Sequence, residues 1–277
     1  MSLVNLSEIL KDAHAKRYAV GNFDAFNMEM VKGILQAAEE EKSPVIIAYG
    51  EVFEDYIDVA AYAGMVIPLA QKAPVPVCLH LDHANTFEGV VRAVHAGFTS
   101  VMIDASSLPL AENIAITKKV VDVCGPLNVS VEAELGHVTA YGGDQGTDGY
   151  EYTDVQEAIT FKNETGLDAL AVAVGTAHGV YTRKPVLRLD ILAALRKTLD
   201  MPLVLHGGSG LCDGDFIGSI QNGISKINIY TDLTVAAMQK VDGEKKLSFI
   251  RQNELFTDAV REETLRKIRL FGSAGRA

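Results

Sequence analysis

The chain has 277 residues, 48% hydrophobic and 22% charged, with a formal net charge of −11 at pH 7. That acidity disfavours nucleic acid and anionic membranes as partners, and a phosphorylated substrate would need positive potential supplied locally. No apolar run approaches the roughly 20 residues of a membrane span, and Cys78, Cys124 and Cys212 lack CxxC partners, which suits a reducing cytoplasm and reads as buried small-residue packing for all three.

The opening segment MSLVNLSEILKDAHAKR reads as an amphipathic helix and lacks the apolar stretch of an export signal. Short β-branched runs then alternate with longer segments whose apolar residues fall at helical spacing, such as MEMVKGILQAAEEEK and LAENIAITKKVVDVC. In chain order the runs are Ala19–Phe23, Val45–Ala48, Val77–Leu81, Ser100–Ile103, Val129–Glu134, Ala169–Val172, Leu203–His206 and Ile227–Ile229. Eight such units predict an α/β (β/α)8 TIM barrel, whose active site lies at the C-terminal ends of the strands. Two segments break the repeat. Gly136–Thr153 is glycine-rich and polar and reads as an active-site loop, while the chain from about Val235 to Ile268 is helical and highly charged. The expectation is one barrel domain over residues 1–277, with a C-terminal helical extension at about 235–277.

His83, His178 and His206 each fall at the end of a run, in VCLHLDHA, ALAVAVGTAHG and PLVLHGGSG. A catalytic zinc site uses three protein ligands and keeps one position open. One isolated histidine is more often a satisfied core residue, but three on matching strand ends favour a zinc site. Alternation points His80 and Asp82 to one side of the third run, with His83 beyond its end. A carboxylate beside a metal-bound substrate can exchange a proton with the reacting centre, which is the role read for Asp82. His80, inside the strand, is read as a core residue. Asp104, Glu132 and Glu134 end the fourth and fifth runs and either orient zinc ligands, hold a second cation, or pair with a lysine or arginine. Gly179, Gly207, Gly208 and Ser209 follow two of the histidines, and Asn228-Ile229-Tyr230-Thr231-Asp232 ends the eighth run. Loops after strands seven and eight of such barrels frequently bind phosphate through backbone N–H groups.

Taken together, HLDHA, VEAELG, GTAHG, LHGGSG and KINIYTD, with the early FDAFNMEM and the terminal IRLFGSAGRA, resemble the class II, zinc-dependent fructose/tagatose-bisphosphate aldolases over essentially the whole barrel. The resemblance implies Zn2+ on His83, His178 and His206, with Asp82 as the proton donor at the aldol carbon. It implies contacts to a dihydroxyacetone phosphate portion from Asn27, Gly179, Gly207, Gly208, Ser209, Asn228, Ile229, Tyr230 and Thr231. A monovalent cation (Na+ or K+) near that phosphate, a homodimer or homotetramer, and a cytoplasmic location belong to the same set of expectations. In the loop after VEAELG many relatives carry Gly-Gly-x-Glu-Asp. This chain has TAYGGDQGTDGYE, where Asp144 is the nearest candidate for the acid that handles the nucleophilic carbon's proton, ahead of Asp148 and Glu151. A serine common after strand two is missing from AYGEVFED, and LSFIRQN stands where a basic stretch is frequent. These departures fall on the aldehyde half of the substrate. Two rival readings are a Schiff-base aldolase using Lys226, and a catalytically silent barrel that binds sugar phosphates.

Overall fold

The computed structural model describes residues 2–138, 152–181, 183–242, 244 and 247–277. Asp144, Asp148, Glu151 and most of the glycine-rich loop lie outside the described residues. In chain order the elements are α1 (Leu6–Lys16), β1 (Val20–Asp24), α2 (Met28–Glu41), β2 (Val45–Gly50), α3 (Val59–Ala70), β3 (Val77–Ala84), α4 (Phe87–Ala96), β4 (Ser100–Ile103), α5 (Leu110–Cys124) and β5 (Ser130–Leu135). There follow α6 (Val155–Thr165), β6 (Ala169–Val172), α7 (Leu189–Leu199), β7 (Leu203–Leu205), α8 (Asp213–Gln221), β8 (Ile224–Ile229), α9 (Thr231–Asp242) and α10 (Phe249–Phe271). The strands close a parallel barrel in sequence order, and β1 pairs with β8 to seal it. This is the predicted (β/α)8 architecture.

The strands are buried on both faces, so they read as continuous apolar runs rather than alternating ones. Their outward residues pack on the surrounding helices in one core that includes Phe23, Ile47, Leu79, Val131, Val172 and Leu205. The N-terminal end of the barrel is plugged by α1. Its Leu6, Ile9, Leu10 and Ala13 form a second apolar cluster with Val20, Ile46, Cys78, Ala169 and Val204. Asn5 starts that helix in a reciprocal capping box with Glu8, which satisfies two otherwise unpaired backbone donors. Higher in the barrel the inward positions become polar: His80 and Asp82, Glu132 and Glu134, Lys226 and Asn228 are all buried. The plug below and the polar layer above direct the chemistry to the C-terminal rim.

Two sequence expectations need correction. The third strand continues through Ala84, so His83 does not lie beyond its end. Pairing with β4 steps from Leu81↔Val101 to Ala84↔Ile103, one residue longer on β3, and His83 sits in that bulge at φ +50°. Bulges re-aim side chains, and this one turns His83 and Asp82 toward the same space. Cys78 and Cys124 are buried, but Cys212 is exposed, because it precedes α8 on the surface rather than packing beneath it.

Candidate active site

The three predicted imidazoles converge. Their ring centroids lie 4.6 Å (His83 to His206), 4.9 Å (His83 to His178) and 5.9 Å (His178 to His206) apart. Each approaches from a different element: the β3 bulge, the loop after β6 and the end of β7. His83 Nδ1 lies 2.8 Å from Asp104 Oδ2, and His206 Nε2 lies 2.9 Å from Glu132 Oε1. A carboxylate partner makes each of those nitrogens the N–H donor, which turns the other nitrogen of each ring inward. Those nitrogens, His83 Nε2 and His206 Nδ1, face one another at 2.8 Å. At that separation a proton or a metal ion lies between them.

The surroundings ask for a cation as well. Burial opposes charge on His83, yet Asp82, Asp104 and Glu134 outweigh it and push the imidazole up to about 10. Burial, with the charges of His83 and His206, pushes His178 down to about 3. Glu134 is pushed up to about 8 by burial and by Asp104 beside it. Its Oε2 is buried without a hydrogen-bond partner, 3.5 Å from His206 Nδ1. An orphaned carboxylate oxygen beside three converging imidazoles fits a divalent metal ion, and nitrogen-rich donor sets suit zinc.

Two further groups could hold a metal, His80 with Asp82 and Glu132, and His83 with Asp104 and Glu134. The first is fully buried and already contains a cation, for Lys226 Nζ lies 2.9 Å from Glu132 Oε2. In the second, His83 Nδ1 already lies in hydrogen-bonding contact with Asp104. In the set His83, His178 and His206, the first two line the open space at the rim and His206 is buried behind them.

That space is a cavity of about 610 Å³ at the rim, lined by Asp24, Asp82, His83 and His178 among others. Asp82 is 5% exposed. Both its oxygens accept from Asn228 Nδ2, at 3.0 and 3.1 Å. Burial alone would raise its pKa, but His83, His80 and His206 hold it well below the usual carboxylate range, so Asp82 is ionised. Burial and the charge of Asp82 push Asp24 well above that range, so Asp24 keeps its proton. Asp24 carried no motif signal beyond its place at the end of the first run, and sequence reading missed it. Glu51 and Asn85, also on the cavity wall, were missed for the same reason.

The cavity is also lined by Gly179, Gly207, Gly208, Ser209, Asn228, Tyr230 and Thr231. Ser209 Oγ accepts from Tyr230 N and Asp232 N, both at 3.2 Å, which ties the GGSG turn to the start of α9. Gly207 adopts φ +65°, and a Cβ there would sit 2.4 Å from the Ala177 carbonyl oxygen. Only glycine permits this approach of the GTAHG loop. Tyr181 OH clasps the same two loops, donating to Gly207 O at 2.7 Å and accepting from Ala177 N at 3.0 Å. The buried Lys267 ammonium donates to Asp232 just behind the turn. Two predicted contact residues stand apart. Asn27 caps α2, its side chain accepting from Met30 N at 3.0 Å, and Ile229 is buried among the packing residues outside the barrel wall.

Fold and site together are a (β/α)8 barrel with three histidines that could hold a metal ion, a buried carboxylate and a glycine-rich cradle on one rim. A family model for class II fructose-bisphosphate aldolases matches residues 4–276. The chain is 41% identical to a probable fructose-bisphosphate aldolase of Bacillus subtilis (strain 168), covering all of both chains. It is 40% identical to the 6-phospho-5-dehydro-2-deoxy-D-gluconate aldolase of the same strain, over all of this chain and 98% of that one. The crystal structure of the YdjI aldolase from Escherichia coli K12 superposes with a TM-score of 0.92 at 42% identity, covering 99% of each chain. The chain belongs to the class II fructose-bisphosphate aldolase family, whose members are typically metal-dependent.

Proposed function

We propose that the protein is a zinc-dependent aldolase that reversibly cleaves a ketose phosphate to dihydroxyacetone phosphate and an aldehyde, with the metal on His83, His178 and His206. The observation that carries the ligand assignment is the convergence of His83, His178 and His206, with His83 Nε2 2.8 Å from His206 Nδ1 and carboxylates around them. Zinc held there supplies Lewis-acid polarisation of the substrate's oxygens.

The chain's own groups do the rest. Asp104 and Glu132 fix the orientation of His83 and His206. In cleavage, the ionised Asp82 takes the proton of the hydroxyl on the aldehyde-forming carbon. The adjoining carbon–carbon bond breaks, its electron pair stays with the dihydroxyacetone phosphate half as an enediolate, and the aldehyde leaves. In synthesis Asp82 returns that proton to the aldehyde oxygen, while Asn228 holds the carboxylate in place. The phosphate is assigned to Gly179, Gly207, Gly208, Ser209 and Thr231, where backbone N–H groups and the N-terminus of α9 offset the negative chain. Asp144 is assigned to the proton on the nucleophilic carbon, and a monovalent cation (Na+ or K+) to the phosphate side.

The Schiff-base rival is disfavoured because Lys226 is fully buried and its ammonium is paired with Glu132. A silent barrel leaves an ionised Asp82 beside a complete ligand set without purpose. We further infer a single domain over residues 1–277, a cytoplasmic enzyme and a homodimer or homotetramer. No helix among the described residues is long and apolar enough to cross a membrane. The named relatives act on substrates with two phosphates in one case and one in the other, so phosphate number is open on family grounds. The test is aldol addition by the purified protein against a panel of aldehydes before and after exhaustive chelation. Turnover that vanishes and returns with zinc supports the reading, and turnover indifferent to chelation removes it.

A further inference from the structure

The cavity has two chemically different walls. The β6, β7 and β8 ends offer glycine backbone and a helix N-terminus. Across the barrel the β2 and β3 ends offer Glu51, Phe53 and Asn85. No lysine or arginine lines the cavity among the described residues. Arg92, on the β2 and β3 side, is neutralised twice: its NH2 lies 3.7 Å from Glu51 Oε1 and 4.0 Å from Glu54 Oε1.

Glu51 is held in place. Its Oε2 accepts from Asn85 N at 2.7 Å and from Asn85 Nδ2 at 3.2 Å. Its Oε1 rests against α4 where a Cβ on Gly89 would come within 2.2 Å, so the helix leaves room for this carboxylate by carrying glycine there. Beside it Phe53 and Tyr230 face the cavity with ring centroids 5.4 Å apart, and Phe26 packs behind Phe53 at 5.1 Å. A fixed carboxylate, a side-chain amide and an aromatic wall match the hydroxyl groups and C–H face of a sugar chain. They mismatch a phosphate dianion, which would meet two carboxylates, Glu51 and Glu54, sharing the single charge of Arg92, with no lysine or arginine lining the cavity among the described residues. Like charges brought together at a binding surface suppress the wrong partner more than any attraction selects the right one.

We propose that the aldehyde half of the substrate is an uncharged, hydroxylated aldehyde, and that Glu51 is the specificity-determining residue that rejects a second phosphate. This rests on the aldolase reading above, with dihydroxyacetone phosphate on the opposite wall. The experiment measures aldol addition of dihydroxyacetone phosphate to D-glyceraldehyde and to D-glyceraldehyde 3-phosphate, for the parent and for Glu51→Gln. Proton exchange of dihydroxyacetone phosphate without aldehyde is followed on the same preparations.

The parent is expected to favour the unphosphorylated aldehyde in kcat/KM. In Glu51→Gln the ratio is expected to move about tenfold toward the phosphorylated one, equivalent to about 1.4 kcal/mol. Because the ratio is internal to each protein, partial misfolding of the variant does not imitate it. Equal or better use of the phosphorylated aldehyde by the parent overturns the proposal, as does an unchanged ratio in the variant. Proton exchange without adduct from either aldehyde also overturns it, leaving the aldolase reading in place. Neither exchange nor adduct overturns the aldolase reading and this proposal together.

Discussion

Lys226→Met removes the cation from a fully buried ion pair. Lys226 Nζ lies 2.9 and 3.1 Å from the two oxygens of Glu132, and both side chains are 0% exposed. Burial raises the pKa of Glu132, but Lys226 leads the charges and hydrogen bonds that bring it down to about 2. Without Lys226 the carboxylate is left buried beside imidazoles alone, with His206 Nε2 at 2.9 Å and no full cation against it. Breaking such a pair from one side costs about 3–5 kcal/mol. At roughly 2 °C per kcal/mol for a chain of this length, the thermal midpoint falls by about 6–10 °C. Glu132→Gln combined with Lys226→Met removes both charges and recovers part of that loss. Differential scanning calorimetry of the parent, the single variant and the double variant checks this. A shift under about 2 °C in the single variant would refute the reasoning, since Glu132 would then be compensated without Lys226. Aldol turnover of Lys226→Met well below its midpoint persists at a reduced rate. Complete loss, with borohydride trapping substrate on Lys226 in the parent, would restore the Schiff-base mechanism.

His206→Ala is expected to lose zinc by elemental analysis and to show negligible turnover; full zinc content would remove His206 from the ligand set. Asp82→Asn keeps zinc and ketose phosphate binding but loses on the order of 10²–10⁴-fold in kcat, and near-normal cleavage would take Asp82 out of the mechanism. Asp144→Ala slows proton exchange at the reactive carbon of dihydroxyacetone phosphate without aldehyde; exchange at the parent rate assigns that proton to another group. Of the three thiols, Cys212 reacts promptly with a disulfide reagent in the native protein at pH 8. Cys78 and Cys124 wait for unfolding, because burial pushes them up to about 12 and about 11 and keeps them from the reactive thiolate form. Prompt reaction of more than one thiol contradicts that burial.

The barrel was legible because its strands are short β-branched runs separated by helical periodicity, and β4 and β6 fall at the positions read from the sequence. The three histidines were legible for the same reason: each ends a run, and barrel topology brings run ends to one rim. The His83 bulge was not, since an extra residue in a strand depends on register with a neighbour that one sequence does not display. Alternation placed Glu132 and Glu134 on one side, but it could not choose among the roles open to them. The structure divides those roles, with Glu132 taking Lys226 and His206 while Glu134 faces the imidazoles with one oxygen unpaired. Asp24 and Glu51 were invisible because a single acid at the end of a run looks like any solvated rim residue. Asn27 drew attention through its motif, and the structure uses its side chain to start α2.

The central claim is that a metal ion sits between His83 Nε2, His206 Nδ1 and His178. The most direct measurement is an anomalous difference map at the zinc absorption edge from crystals of the protein grown with zinc. The expected result is one strong peak per chain at about 2.0–2.1 Å from a nitrogen of each of the three histidines. A peak held instead by His80, Asp82 and Glu132, or no peak in crystals of a fully active preparation, would contradict the claim.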